Sequence, residues 1–186
     1  MAQPDNVIQF VGCEPVAIGT AVRDALQRMP TPWHRAGGGS STGSRCVNLL
    51  QVCYAVASVD GFARVERMAL SHLLKVVTGS PVKQAAMEQH FSALDDRIER
   101  RGRAGVLAML ATSVDNLDGR DETIVIAAMV AMADGALSQA EMDELSELAY
   151  QMRIPVEQAD ALVAEAAHRI RDAVAVAPPG SVAQSS

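Results

Sequence analysis

The chain has 186 residues and a formal net charge of −6, and 49% of its residues are apolar. This length and composition fit a single domain with a real hydrophobic core, and with only 3% aromatic residues that core must consist mainly of Ala, Leu, Val and Met, as in close-packed helices. The acidic charge disfavours nucleic-acid binding, because the only basic cluster is Arg97, Arg100, Arg101 and Arg103. Three cysteines without a Cys-x-x-Cys pair disfavour a disulfide framework.

Residues 1–45 differ in composition from the rest of the chain. Val7–Val11 is a short apolar patch, Val16–Met29 has the spacing of an amphipathic helix, and a Gly/Ser-rich linker covers 37–43. We expect a partly disordered extension with three interpretations. Residues 1–30 are a docking segment for a protein partner, because their apolar side chains otherwise stay unburied, or a loosely packed extra helix, or simply disordered. Met1–Val11 lacks the basic region of a signal peptide and no run is long enough to span a membrane, so we expect a cytoplasmic protein.

Residues 46–176 carry helical patterns and no sustained strand alternation, which predicts an all-α fold without a sheet. Two sites mark helix starts: Ser80 followed by Pro81, and a capping box from Ser138 to Glu141. The Pro/Gly/Ser-rich tail 177–186 is expected to be disordered. The predicted helices are 46–59, 64–78, 81–90 with a continuation to 100, 104–117, 121–133, 139–152 and 155–174.

An internal repeat is the most informative pattern in the chain. In each copy an apolar helical run ends in Asp-Gly, and a Glu starts the next amphipathic run. The first copy, Leu49–Val77, contains Asp60, Gly61 and Glu66; the second, Ile124–Met152, contains Asp134, Gly135 and Glu141. Such a repeat predicts a compact bundle of about seven helices built from two pseudo-symmetric helical hairpins. The runs before each Asp are apolar on nearly every face, so they are expected to form the central pair.

The two corners have a structural and a functional interpretation. Gly61 and Gly135 suit the left-handed conformation at a helix end. An Asp at the negative end of a helix is unfavourable by roughly 0.3–1 kcal/mol. The Asp of each corner therefore has two interpretations. It holds the turn by accepting hydrogen bonds from loop amides, or it forms a cation site with the following Glu. The candidate metal ligands are therefore Asp60, Glu66, Asp134 and Glu141, at two local sites or at one shared site.

Other candidate sites are weaker. Neither corner has the ligand spacing of an EF-hand loop, and neither does the stretch 115–122, which we interpret as a polar loop between helices. The histidines (His34, His72, His90 and His168) show no ligand spacing, and we expect them to be surface or hydrogen-bonded side chains.

The phrases Ala57–Glu66 and Ala131–Glu141 resemble those of the TerB-like family, which includes tellurite-resistance TerB proteins and the N-terminal domain of a membrane-anchored DnaJ-like co-chaperone. The first phrase departs from the family pattern, because its Glu comes six residues after Asp60 and Ala63 stands in the capping position. The resemblance covers residues 46–175. It implies an all-helical domain that binds Ca²⁺ or another divalent cation through the Asp and Glu of these phrases, without an organic cofactor.

The resemblance also implies a role in bacterial stress responses and in membrane-associated assemblies rather than in a catalytic reaction. The first hypothesis is therefore a non-enzymatic interaction module that binds a divalent cation or a protein partner at the acidic corners. One alternative is a metal-dependent hydrolase-type enzyme that uses the same carboxylates and requires a deep pocket beside them. The other is a purely structural scaffold or cargo protein in which the Asp residues only hold turns.

Overall fold

The computed structural model describes residues 6–10, 13, 15–28, 41–114 and 117–176. The tail 177–186 and most of the predicted linker lie outside these ranges, as do Asp115 and Asn116. Among the described residues, no helix is long and apolar enough to cross a membrane.

The described residues confirm the all-α prediction, with eight α-helices and one very small sheet. The elements are β1 (Asn6–Gln9), α1 (Pro15–Arg28), α2 (Ser41–Ala57), α3 (Arg64–Thr78), α4 (Gln84–Arg101), α5 (Arg103–Thr112), α6 (Leu117–Ala131) with a 3-10 turn (Met132–Asp134), β2 (Ala136–Ser138), α7 (Gln139–Gln151) and α8 (Val156–Val176).

Helices α2 and α6 form the centre of the bundle and pack against each other. Val52 and Val56 of α2 are fully buried, as are Ile124 and Val130 of α6. A helix that is apolar on every side is stable in water only when neighbours cover every side. The prediction that these two helices are the central pair is therefore confirmed.

The duplication extends beyond the two hairpins to the whole domain. Helices α1 to α4 correspond in order to α5 to α8, because equivalent pairs make equivalent contacts. Helix α1 packs against α3 and α8, while α5 packs against α7 and α4. Likewise α4 contacts α2 and α8 contacts α6. The domain therefore consists of two four-helix units around a pseudo-twofold axis.

The predicted boundary at residue 46 is wrong, because described parts of the N-terminal segment belong to the same core. Ile18, Val22 and Leu26 on one face of α1 are at most 1% exposed. Helix α2 also begins at Ser41, inside the predicted linker. Phe10 is buried as well and Ile8 packs against the core, so these described residues do not form the unburied apolar patch that suggested a docking peptide.

The prediction of no sheet is also wrong, since β1 and β2 pair antiparallel. Ile8 lies opposite Leu137, and the Phe10 amide donates to the Gly135 carbonyl at 3.0 Å. Strands of four and three residues are too short to show a period-two pattern in the sequence. The N-terminal strand thereby covers the segment that follows the second Asp-Gly corner.

Three further helix boundaries differ from the predictions by three residues or more. Helix α4 begins at Gln84 rather than at Pro81. Gly79 is left-handed and the Ser80 amide donates to the Thr78 hydroxyl, so Ser80 belongs to the turn after α3 and does not cap α4. Helix α5 ends at Thr112, where the Thr112 and Ser113 hydroxyls donate to carbonyls of the last turn. Helix α6 begins at Leu117, so residues 117–122 are helical and not a polar loop.

Candidate functional site

Both Asp-Gly corners have the backbone that the sequence predicts. Gly61 has φ 131° and Gly135 has φ 110°, a region that side chains rarely tolerate. A Cβ at Gly135 would also lie 3.2 Å from Cδ1 of Ile18. Each glycine reverses the chain after a central helix and directs it into the next amphipathic helix.

The Glu of each corner caps the helix that it begins. Oε2 of Glu141 accepts from the Ser138 amide at 2.8 Å, and the Ser138 hydroxyl accepts from the Glu141 amide at 3.2 Å. The predicted capping box is therefore confirmed. In the first copy Oε2 of Glu66 accepts from the Ala63 amide, but Ala63 has no side-chain acceptor to complete the box. One oxygen of each carboxyl group is thus engaged by backbone, which leaves the second oxygen of each for another partner.

The two capping glutamates meet each other inside the protein. Glu66 is 2% exposed and Glu141 is 4% exposed, and their carboxyl groups lie within hydrogen-bonding reach. Burial raises the pKa of Glu66 strongly, and the charges of Glu141 and Asp134 raise it further. Burial also raises the pKa of Glu141, with a further contribution from the charge of Asp60. Two carboxylates in one buried place cannot both ionise without a large electrostatic cost, so at neutral pH the pair retains a proton.

The two aspartates lie beside this pair at the protein surface. Oδ1 of Asp134 accepts from the Ala136 amide at 3.1 Å, which closes a turn two residues long. The pKa of Asp134 is raised, first by the protein atoms that shield its carboxyl from water and then by the charge of Asp60. Both residues are exposed. Helix packing therefore brings all four predicted residues into one electrostatic cluster.

Neighbouring side chains hold the first corner in place. Phe62, directly after Gly61, packs edge-on against Tyr54 and Phe91 with ring centroids 5.1 and 5.5 Å away. Arg103 donates to the Ala55 carbonyl at 2.8 Å and to the Ser58 carbonyl at 3.3 Å, at the end of α2. Aromatic packing and this cap thus stabilise the first corner, whereas the sheet covers the second.

The carboxyl cluster supplies hard oxygen donors, which suit Ca²⁺ or Mg²⁺. As the side chains stand, however, no three His, Cys, Asp or Glu residues of the described part are arranged to hold a metal ion. A cation at this place therefore requires that the exposed Asp60 or Asp134 rotate toward the Glu66–Glu141 pair. Such a rotation is open to exposed side chains at a loop.

Sequence reasoning missed a second polar region, between α1 and α3. His72, predicted to be a surface or hydrogen-bonded histidine, is half-buried, and its Nε2 is buried without a hydrogen-bond partner in the described structure. His72 lines a cavity together with Arg23 and Lys75. No sequence pattern connects these three residues, because Arg23 belongs to α1, which lies outside the predicted domain 46–176.

Comparison with known proteins gives no match: neither a family model, nor a curated protein, nor a solved structure shows significant similarity to this chain.

Proposed function

We propose that this protein is a non-enzymatic, TerB-like interaction module that binds a divalent cation at the cluster of Asp60, Glu66, Asp134 and Glu141. The observation that carries the proposal is the buried Glu66–Glu141 pair, in which two like charges share one place between the repeats. A proton relieves that repulsion in the unbound protein. A divalent cation would relieve it more completely, because it neutralises both carboxylates at once.

The donor chemistry supports this proposal. Each glutamate keeps one oxygen on a backbone amide, and this contact fixes the orientation of its carboxyl group. The second oxygens and the two surface aspartates form an all-oxygen donor set with a formal charge of up to −4 when fully ionised. The TerB-like resemblance implies the same ligands, and it alone suggests tellurite resistance, stress response and a membrane-associated assembly.

Proton release is the specific prediction of this proposal. Binding of Ca²⁺, Mg²⁺, Mn²⁺ or Zn²⁺ at pH 7 should displace about one proton, since metal ligands must be deprotonated. Calorimetric titration in two buffers of different ionisation enthalpy measures that proton directly. Glu66→Gln keeps a carbonyl acceptor for the Ala63 amide and removes the charge, so it should abolish both cation binding and proton release.

Matched controls are available on remote helices. Glu99→Gln in α4 and Asp160→Asn in α8 change exposed carboxylates by the same chemistry and should leave binding unchanged. Asp134→Asn should weaken binding without abolishing the fold. Absence of saturable heat for all four ions, together with an unchanged melting temperature in their presence, would contradict the cation proposal.

A purely structural role is the second candidate, and a specific observation favours it. The carboxyl oxygens of Glu141 and Asp134 already bind backbone amides at the second corner. Under this alternative the same substitutions lower stability in every buffer and no ion reverses the loss. Comparing the melting temperatures of wild type and Asp134→Asn with and without each cation separates the two roles.

The enzyme alternative requires a deep pocket beside the carboxylates. Within the described residues, the cavity between α1 and α3 is lined by none of the four.

A further inference from the structure

A cationic cavity lies between α1 and α3, away from the carboxyl cluster. Its volume is about 260 Å³, somewhat below the roughly 300–1,000 Å³ typical of sites for drug-sized ligands. It is lined by Arg23, Met68, Ser71, His72, Lys75 and Pro81. In a protein with a net charge of −6, a small cavity lined by two fixed positive charges, a histidine and a hydroxyl is an unusual local concentration of donors.

The guanidinium of Arg23 is held in one orientation by its own helix. Its Nε donates to the Gly19 carbonyl at 3.3 Å and its Nη2 donates to the Thr20 hydroxyl at 2.8 Å. Neither bond uses Nη1. A guanidinium ordered before binding loses little conformational freedom when it receives an anion.

The positive charges of the cavity lack carboxylate partners at contact distance. Within the described residues, the ion pairs closer than 4.0 Å include neither Arg23 nor Lys75. The pKa of His72 shows their combined effect. Burial lowers this pKa most, and repulsion from Arg23 and Lys75 lowers it further, whereas the charge of Asp24 raises it. Its Nε2 is buried without a hydrogen-bond partner in the described structure. Within the described residues, the cavity thus contains two cations without a contact ion pair, next to an imidazole nitrogen without a hydrogen-bond partner.

We propose that this cavity binds a phosphate group, with Arg23 and Lys75 as countercharges and Ser71 as a hydroxyl donor. A dianion matches two cations, and a guanidinium prefers phosphate geometry. The ligand is either inorganic phosphate or the phosphate of a small monoester. Met68, which is 49% exposed at the rim, offers an apolar surface for the organic part of a monoester. The proposal is independent of the cation site.

The test titrates the full chain with inorganic phosphate and with glycerol 3-phosphate, using calorimetry and histidine NMR signals at constant ionic strength. We expect saturable binding with a Kd of about 10 mM or lower. Bound phosphate should raise the pKa of His72, because it cancels the repulsion from Arg23 and Lys75. Tighter binding of the monoester identifies a phosphorylated metabolite as the ligand, and equal binding identifies free phosphate.

Charge-removing variants decide whether the cavity is the site. Arg23→Gln and Lys75→Gln should each weaken binding by about tenfold or more, since each removes a charge-assisted contact. Lys75 is exposed, so its substitution tests the proposal even if Arg23→Gln disturbs α1. Arg101→Gln at the distant end of α4 is the matched control. Non-saturable binding, or equal affinity in wild type and both cavity variants, would overturn the proposal.

Discussion

Replacing Glu66 and Glu141 together by glutamine should remove a large pH dependence of stability. Glutamine matches the protonated carboxyl in shape and keeps an acceptor for the capped amide of each helix. In the wild type the folded-state pKa of each glutamate is raised above its ordinary value of 4.5. The folded protein therefore binds more protons than the unfolded chain, and its stability falls as the pH rises from about 4.5 toward the folded-state pKa.

The structure gives the size of this effect. One proton bound by the folded state alone changes the free energy of unfolding by about 1.4 kcal/mol per pH unit. The pKa of Glu141 is raised to about 7, so this one proton, half released at pH 7, accounts for roughly 2 kcal/mol between pH 5 and pH 7. That amount is a substantial part of the roughly 5–15 kcal/mol of a typical domain. The raised pKa of Glu66 extends the same trend to higher pH.

Urea unfolding at pH 5, 6, 7 and 8 without divalent ions measures the effect in both proteins. His72, Asp134 and Glu144 also titrate with shifted pKa values, but they are present in both proteins, so the difference isolates the glutamate pair. The variant should gain stability relative to wild type as the pH rises. Parallel stability curves for the two proteins across this range would refute the buried, proton-sharing pair.

Three further predictions follow from the packing. Ser138→Ala should lower the free energy of unfolding by about 1 kcal/mol, measured by chemical denaturation. Ala63→Ser should raise it by roughly 0.5–1 kcal/mol, because Ala63 already has the extended backbone of a capping residue. Gly135→Ala should lower stability by about 1–3 kcal/mol, measured as a drop in Tm, because of its positive φ and its contact with Ile18. Deleting residues 1–28 should abolish cooperative unfolding, measured by circular dichroism; a stable remainder would show that α1 is dispensable.

Helix bounds are predictable from the sequence where the local chemistry of a few residues decides them. The bounds 64–78 match α3 because Glu66 caps its start and Gly79 ends it in the left-handed conformation. The start of α7 at Gln139 likewise follows from the Ser138 cap. Helix termini of this kind are determined by a few neighbouring residues, so they are readable without knowledge of the fold.

The role of α1 could not be read in the same way. Its amphipathic face was predicted, but a hydrophobic stripe does not specify which surface buries it. The segment 29–40 between α1 and α2 is much longer than the segment 113–116 between α5 and α6, and this difference obscured the equivalence of the two units. The sequence repeat therefore showed two hairpins, whereas the structure contains two four-helix units.

The arrangement of the candidate site also depends on how the two units pack against each other. The repeat predicted four equivalent acidic residues, but one shared place or two separate places were equally compatible with it. Only the packing of α2 against α6 brings the Asp-Gly corner of one hairpin next to the corner of the other hairpin. Because Glu66 and Glu141 start equivalent helices near the pseudo-twofold axis, each of them faces its own counterpart.

One difference between the repeats makes this pair unequal. The Ser138 hydroxyl lowers the pKa of Glu141 against the stronger effect of burial, whereas Ala63 offers Glu66 no such group. This difference favours Glu141 as the first of the two carboxyl groups to ionise. Under the proposed function, a cation would then meet one carboxylate already charged and would displace a proton only from its neighbour. The departure of the first corner from the repeated pattern would thus let the pair attract a cation before any proton is released.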